Sequence, residues 1–370
     1  MIDQKTLDLP VKRIWILGDM HLGVRSSSLE WLEMMKDFYD NQFIPTLLKN
    51  YQKGDILVQV GDAFDNRQSI NIRVLHYAVD LFERLGEILP VHVIAGNHDI
   101  WAKKSNEVTS IDTLKWIPNV AIYKDPKTFN WGGKEVLLMP WRRDTDHERE
   151  TLEEFPNSNI VFCHSEVRGI KLNKKVDNFH GVEASTYDRF DAVFSGHIHY
   201  RQRRGKLRMV GTPYELTRSD MDNTKGFDLL NLEDMSETFF ENTISPKFVK
   251  FYLTQLYNVP LGEFKNAIRN NYVDLYIPSN IATTSALSRL INKVQNVSRK
   301  IEPNIYEQDT FLDKDMYDMD EIEDLYKNYN ILHLCNMYVD NLGHDEDVKD
   351  QIKARLKKLH DFCAYNYEIE

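Results

Sequence analysis

Cysteine is scarce in this chain: Cys163, Cys335 and Cys363 are the only three in 370 residues. An odd number without CxxC spacing gives neither a disulfide framework nor a thiolate zinc site, and it fits a reducing compartment. No run approaches the roughly 20 apolar residues that cross a bilayer, and the opening MIDQKTLDLPVKR has no apolar signal core. A cytoplasmic protein without a membrane partner is expected. Surplus positive charge is also lacking, since the formal net charge is −11. That deficit is local. Residues 301–370 hold 18 acidic and 7 basic side chains, which leaves 39 of each sign in residues 1–300. A neutral body can still turn a basic face to a polyanion.

What is present is ordinary globular material, 42% apolar and 28% charged. The length predicts two domains, or one with a sizeable appendage. Short apolar runs that read as strands recur at 13–17, 56–60, 91–95, 135–139, 159–163, 192–195 and 207–210. Helical spacing lies between the first three. Leu29, Leu32, Met35 and Phe38 form one stripe and Ile72, Leu75, Val79 and Phe82 another, the second helix running from Ser69 to Gly86. Alternating strands and helices predict an α/β layered sheet whose chemistry sits at strand carboxyl ends.

The pattern shifts near residue 241. Residues 1–240 read as the main domain and 245–308 as a small α/β domain with a strand at 273–277 and a helix from Thr284 to about Val297. An acidic linker is expected at 309–317, then a helical segment at 318–366. The first of its helices carries Ile322, Leu325, Tyr326 and Tyr329, the second Val348, Ile352, Leu356, Leu359 and Cys363.

Five segments after strands bring oxygen and imidazole donors to sharp turns: GDMH (18–21), GDAFD (61–65), GNHD (96–99), FCHSE around His164, and SGHIH (195–199). A single GD or a lone His is an ordinary turn or a satisfied core residue, whereas GNHD alone already points to function, because three consecutive polar residues directly after a buried strand lack a packing purpose. Together the five segments form a kit for two divalent cations, which need about ten donor positions and a bridging carboxylate, for which Asp62 is the natural choice. In GDMH and GHIH the outer residues are separated by one, so an extended backbone would aim both at the same ion. Carboxylate, amide and imidazole donors without thiolate suit manganese, iron or zinc. Cys163, one position from His164, faces the core, and His76, His92 and His180 fall outside the kit as surface or core residues.

The ordered series over residues 12–215 resembles the calcineurin-like metallophosphoesterases. SGHIHYRQ followed by MVGTPYELTRSD resembles, within that superfamily, the SbcD-type DNA repair nucleases, including phage-encoded recombination endonuclease subunits. The resemblance implies a four-layer αββα sandwich with a small α/β capping domain and a C-terminal helical segment. It implies a DNA double-strand exonuclease and single-strand endonuclease. This would be a homodimer in a heterotetramer with an SMC-like ATPase of the SbcC type, in the host cytoplasm if phage-encoded. It places Asp19, His21, Asp62 and His199 on one metal, and Asp62, Asn97, His164 and His197 on the other, with Mn2+ first among the metals and Mg2+, Fe2+ or Zn2+ as alternatives. His98 is left as the catalytic histidine, poised to protonate or orient the departing oxygen, and Asp99 could hold its ring. Cellular members have GDxFH where this chain has GDAFD, so the directional role of that histidine is absent, and Asp65 is expected to pair with Arg67 or to order the loop.

Basic residues flank these loops: Arg201, Arg203, Arg204, Lys206 and Arg208 after His199, and Arg168, Lys171, Lys174 and Lys175 after His164, with Arg142 and Arg143 beyond another strand. Such clusters suit a phosphate backbone contacted without reading sequence, in double- or single-stranded DNA. Alternatives are a phosphatase or cyclic-nucleotide phosphodiesterase on the same core, and a non-catalytic adaptor binding DNA and an ATPase.

Overall fold

The computed structural model describes residues 10–102, 105–254, 259–279, 285–306, Val339 and 346–367. Two six-stranded sheets dominate. In the first, β1 (Arg13–Leu17), β2 (Asp55–Gln59), β3 (Val91–Ile94) and β6 (Val120–Tyr123) run parallel, and β15 (Gly226–Asn231) and β16 (Glu237–Glu241) add antiparallel at one edge. In the second, β8 (Lys134–Met139), β9 (Ile160–His164), β12 (Ala192–Gly196) and β14 (Leu207–Met209) run parallel between antiparallel edges β7 (Lys127–Trp131) and β13 (Gln202–Arg204).

Alternation along the strands builds the layers. In β1, Ile14 and Ile16 enter the cluster between the sheets with Val58, Leu138, Phe162 and Phe194. Trp15 and Leu17 face outward onto helices α1 (Leu29–Phe38) and α3 (Ile72–Ile88). The second sheet's outer face, with Val161, Cys163 and Val193, packs under Leu152 of α4 (Thr145–Glu154) and Tyr187. The result is the four-layer αββα sandwich. Between α1 and α3 runs α2 (Ile44–Asn50).

Both stripes need adjustment. Leu29 is 48% exposed and Ile72 80%, while the buried side of α3 is Val74, Tyr77, Ala78, Leu81, Phe82 and Leu85. Alternation within an apolar-rich helix leaves more than one candidate stripe, and only the packed sheet selects between them.

Two short pairs lie outside the main sheets: β4 (Ile100–Ala102) with β5 (Ser105–Thr109), and β10 (Val167–Arg168) with β11 (Val182–Glu183). After β16 comes a three-stranded sheet, β17 (Phe248–Tyr252), β18 (Tyr272–Pro278) and β19 (Lys300–Tyr306), with α5 (Leu261–Ile268) and α6 (Ser285–Gln295). The expected linker at 309–317 and the helix carrying Ile322 to Tyr329 lie outside the described residues. The helix around Ile352 is described as α7 (Glu346–Tyr367), with Val348 42% exposed and Ile352 and Leu356 half-buried.

Candidate metal centre

The carboxyl ends of β1, β2, β3, β9 and β12 come together, and each expected segment lies on or just beyond one of them. Loop one docks on loop two: the Met20 and His21 amides both donate to the Asp62 carbonyl at 3.0 Å. Glycine makes the approach possible. A Cβ on Gly96 would lie 2.1 Å from Asp62 Oδ1, and one on Gly196 2.3 Å from Asp19 Oδ1. His21, Asp62 and His197 themselves have positive φ, 46°, 52° and 79°. The paired donors of GDMH and GHIH therefore meet through left-handed turns, which corrects the extended geometry expected from their spacing.

Seven side chains converge. His21 Nε2 lies 2.9 Å from His199 Nε2 and 3.7 Å from Asp62 Oδ2. Asp19, His21 and His199 each offer an atom within 4.8 Å of the others, and so do Asp19, Asp62 and His164, and His21, Asp62 and His98. Asn97 Oδ1 sits 2.9 Å from His164 Nε2 and 2.8 Å from His197 Nδ1, while Asp62 Oδ2 is 3.3 Å from His164 Nε2. Asp62 thus stands between the two groups inferred from the resemblance. Ligand orientation is fixed from behind: His164 Nδ1 contacts the Val60 carbonyl at 2.9 Å, which turns Nε2 inward. The His197 amide donates to Asp19 Oδ2 at 2.9 Å.

The electrostatics suit cations. Burial pushes Asp19 above the usual carboxylate range. It acts on Asp62 too, but the imidazoles of His164, His98 and His21 outweigh it and hold that carboxyl well below the range. Burial lowers His197 to about 3 and His199 well below its ordinary value, so both present neutral nitrogen lone pairs. Asp19 Oδ1 is buried with no hydrogen-bond partner among the described residues. An orphaned carboxylate oxygen among inward-facing imidazoles is what a bound divalent cation would satisfy, and the oxygen and nitrogen donor set fits one.

His98 stands beside this group. Its amide donates to Asp62 Oδ1 at 2.8 Å, its Nδ1 meets the Asp65 carbonyl at 2.7 Å, and its ring lies edge-on to His21 at 4.8 Å. Asp99 does not hold that ring. It is fully buried and accepts from the amides of Gly96, Ala63 and Phe64 and from Ser110 Oγ, tying the second and third loops together. Asp65 does not reach Arg67 either; its Oδ1 is 3.2 Å from His21 Nδ1.

The basic residues divide. Arg201 grips Asp228 with two bonds of 2.6 Å and covers the Phe239 ring. Arg208 pairs with Glu237, and Arg142 is buried against the Pro140 and Lys124 carbonyls. Arg204 donates to the Gly169 carbonyl, Lys171 pairs with Asp177 and Lys174 with Asp222, all at exposed positions. Arg203 and Lys206 face solvent. A cleft of about 200 Å3 is lined by Arg67, Asn97, Ile100, Trp141 and Arg143. Trp141, whose ring is 4.8 Å from that of His197, had no sequence signal because a lone tryptophan after a strand reads equally as core.

Comparison with known proteins agrees with this geometry. The family model described as calcineurin-like phosphoesterase matches residues 12–201. Exonuclease subunit 1 of Enterobacteria phage T4 is 31% identical over 234 residues, 62% of this chain and 68% of that protein. A protein of Invertebrate iridescent virus 3 that carries a phosphoesterase name is 24% identical over 204 residues, 51% of this chain and 53% of the relative. Among solved structures, a protein of unknown function from Aquifex aeolicus aligns at 17% identity with a TM-score of 0.28, covering 42% of this chain and 80% of that one, which is too low a score to carry an argument.

Proposed function

This chain belongs to the calcineurin-like phosphoesterase family, and from that premise we propose that it is a two-metal DNA nuclease, working as one subunit of a complex. One observation carries the reading: Asp19, His21 and His199 on one side and Asn97, His164 and His197 on the other meet around a shared Asp62. His98, which also comes within 4.8 Å of His21 and Asp62, is assigned in this reading to the chemistry and not to an ion. When bound, two divalent ions, Mn2+ foremost, would polarise a phosphodiester and lower the pKa of a water molecule.

The chain's own groups do the rest. Donating Nδ1–H to the Asp65 carbonyl leaves the His98 Nε2 lone pair to accept the proton released by the attacking water and then to pass it to the departing oxygen. Burial lowers its pKa, so the ring is neutral at rest. The cleft beside Asn97 offers Arg67 and Arg143 to flanking phosphates, with Trp141 as its floor. Arg203 and Lys206, and the exposed Arg204, Lys171 and Lys174 through exchange of their weak surface contacts, would extend a cationic path.

The name of the T4 relative, an exonuclease subunit, favours a nucleic acid and a multi-subunit setting over a small phosphate ester. In this reading residues 1–240 are the nuclease domain, 245–308 cap the substrate, and 318–366, joined by the linker at 309–317, dock a SbcC-type SMC-like ATPase through an apolar helix face, on which Val348, Ile352 and Leu356 are spaced by four. The assembly would be a homodimer within a heterotetramer, in the cytoplasm.

An end-labelled linear duplex and a small chromogenic phosphodiester, each incubated with Mn2+ or Mg2+, test this. Metal-dependent degradation of the duplex is expected. Hydrolysis of the small ester alone would favour a phosphatase or cyclic-nucleotide phosphodiesterase, and no hydrolysis with retained DNA binding an adaptor.

A further inference from the structure

Asp65 occupies a junction that neither set of candidate ligands includes. It lies at the end of the second loop, whose path is welded to the first: Leu22 donates to the Ala63 carbonyl at 3.0 Å, and Asp65 donates back to the Leu22 carbonyl at 3.1 Å. Leu22 and Phe64 form an isolated parallel bridge at the same point. The backbone of Asp65 is therefore fixed relative to His21, one residue before Leu22. Its two remaining acceptors point in different directions. The side-chain Oδ1 lies 3.2 Å from His21 Nδ1, and the carbonyl lies 2.7 Å from His98 Nδ1.

We propose that Asp65 is a positioning residue for both histidines: its carboxylate fixes His21 with Nε2 toward the ion shared with Asp19, Asp62 and His199, and its carbonyl fixes His98 with Nε2 toward substrate. The inference rests on the two-metal reading and assigns a part to a residue outside it.

The physical reasons are local. A histidine that ligates through Nε2 needs its other nitrogen to carry the proton, and an acceptor behind that nitrogen selects the tautomer and aims the ring. His164 has such an acceptor in the Val60 carbonyl. His21 has no backbone carbonyl recorded in that position; among the described residues its Nδ1 is otherwise without a hydrogen-bond partner, and the Asp65 contact, though close, is off the ideal hydrogen-bond line. An ion on Nε2 would hold the ring from its other end. A carboxylate there also raises the basicity of the ligating nitrogen more than a carbonyl does. The side chain of Asp65 is only 27% exposed, so solvent screens this contact incompletely.

The geometry also explains how one residue can serve both rings. His21 and His98 meet edge to face at 4.8 Å, and one short turn supplies a side-chain acceptor to the first and a main-chain acceptor to the second. Substituting the side chain should therefore separate the two roles: the carboxylate disappears, whereas the carbonyl that orients His98 remains.

Titration of the metal-free full-length protein with Mn2+, followed by calorimetry and electron paramagnetic resonance, tests the proposal. Wild type is expected to take two ions. Asp65→Ala is expected to weaken one of them by about 10–100-fold, the usual loss when a partner behind a metal-bound histidine is removed, with the other unchanged and the coupled two-ion signal replaced by a single-ion one at intermediate Mn2+. Asp65→Asn, whose amide oxygen can still accept from Nδ1, is expected to recover most of the affinity. Two undiminished sites in Asp65→Ala, or equal weakening of both, would overturn the assignment. Should Asp65→Ala fail to fold, long-range 15N–1H correlation on the zinc-loaded wild type decides, since a proton on His21 Nε2 rather than Nδ1 refutes the proposal. A wild type that binds fewer than two ions would instead refute the two-metal reading, so the two failures are separable.

Discussion

His21, Asp62 and His197 hold left-handed backbone angles that side chains usually avoid, at a cost of about 1–3 kcal/mol each. Such strain persists only where surrounding contacts over-determine it, and here the amides of Met20 and His21 on the Asp62 carbonyl do so. Gly96→Ala is then expected to abolish binding of both ions in a Mn2+ titration, because the new methyl would lie 2.1 Å from Asp62 Oδ1, too close for either group to remain. His98→Ala should leave that titration unchanged while duplex cleavage falls by about 10²–10⁴-fold; full cleavage by this variant would remove His98 from the chemistry. The candidate ligands were legible in the sequence because their chemistry is rare in apolar surroundings and each follows a strand. The partners of Asp65, Asp99 and Arg201 were not, since a carboxylate or guanidinium names no partner until distant loops meet.

At the scale of elements, the segment 214–220 links the small sheet to the catalytic loops. Tyr214 donates to the Met20 carbonyl at 2.6 Å, and Glu215 accepts from the amide of Phe248 at 2.6 Å, at the start of β17. Arg218 binds Asp274 of β18 at 2.6 and 2.9 Å as well as Glu302 of β19. Asp220 pairs with Lys225, which also donates to the His199 carbonyl at 2.7 Å. Trp31 of α1 stacks on Tyr272 at 5.5 Å on the same side. Arg218→Ala is expected to lower stability by about 1.5–3 kcal/mol, the worth of hydrogen bonds to charged groups, and to expose the small sheet to limited proteolysis before the main sheets; simultaneous digestion of both would contradict this. Under the proposed assembly, truncation after residue 315 should leave Mn2+ binding intact and end co-purification with an SMC-like ATPase, a loss that unchanged co-purification would disprove. The sequence made the central parallel strands readable through their continuous apolar runs. It hid β16 and β4, whose mixed polarity reflects positions at an edge and in a hairpin, where burial is one-sided, and β15, a buried strand whose apolar run is broken by Asp228, the partner of Arg201.

For the whole molecule, pH acts through carboxyls the chemistry does not use. Burial raises Glu148, bonded to Ser165 and Tyr187, to about 7, and Glu215 to about 8. A carboxyl whose folded pKa exceeds its ordinary value near 4.5 binds more protons folded than unfolded, so the contribution of these two to stability falls as pH rises from about 4.5 to 8. Buried neutral histidines such as His92 and His197, both lowered to about 3, act in the opposite sense, so the contribution is read by difference: in urea midpoints at pH 5, 7 and 9, Glu148→Gln should gain on wild type between 5 and 7, and a constant difference would assign the dependence elsewhere.

The candidate ligands come from both halves of the sandwich: Asp19, His21, Asp62 and Asn97 follow strands of the first sheet, whereas His164, His197 and His199 belong to the second. Ions seated there would act as rivets across the seam. Chelation should therefore loosen the join between the sheets, with amide exchange rising first at their carboxyl ends and the melting temperature tracking free Mn2+, so that the enzyme would be sturdiest when it is armed.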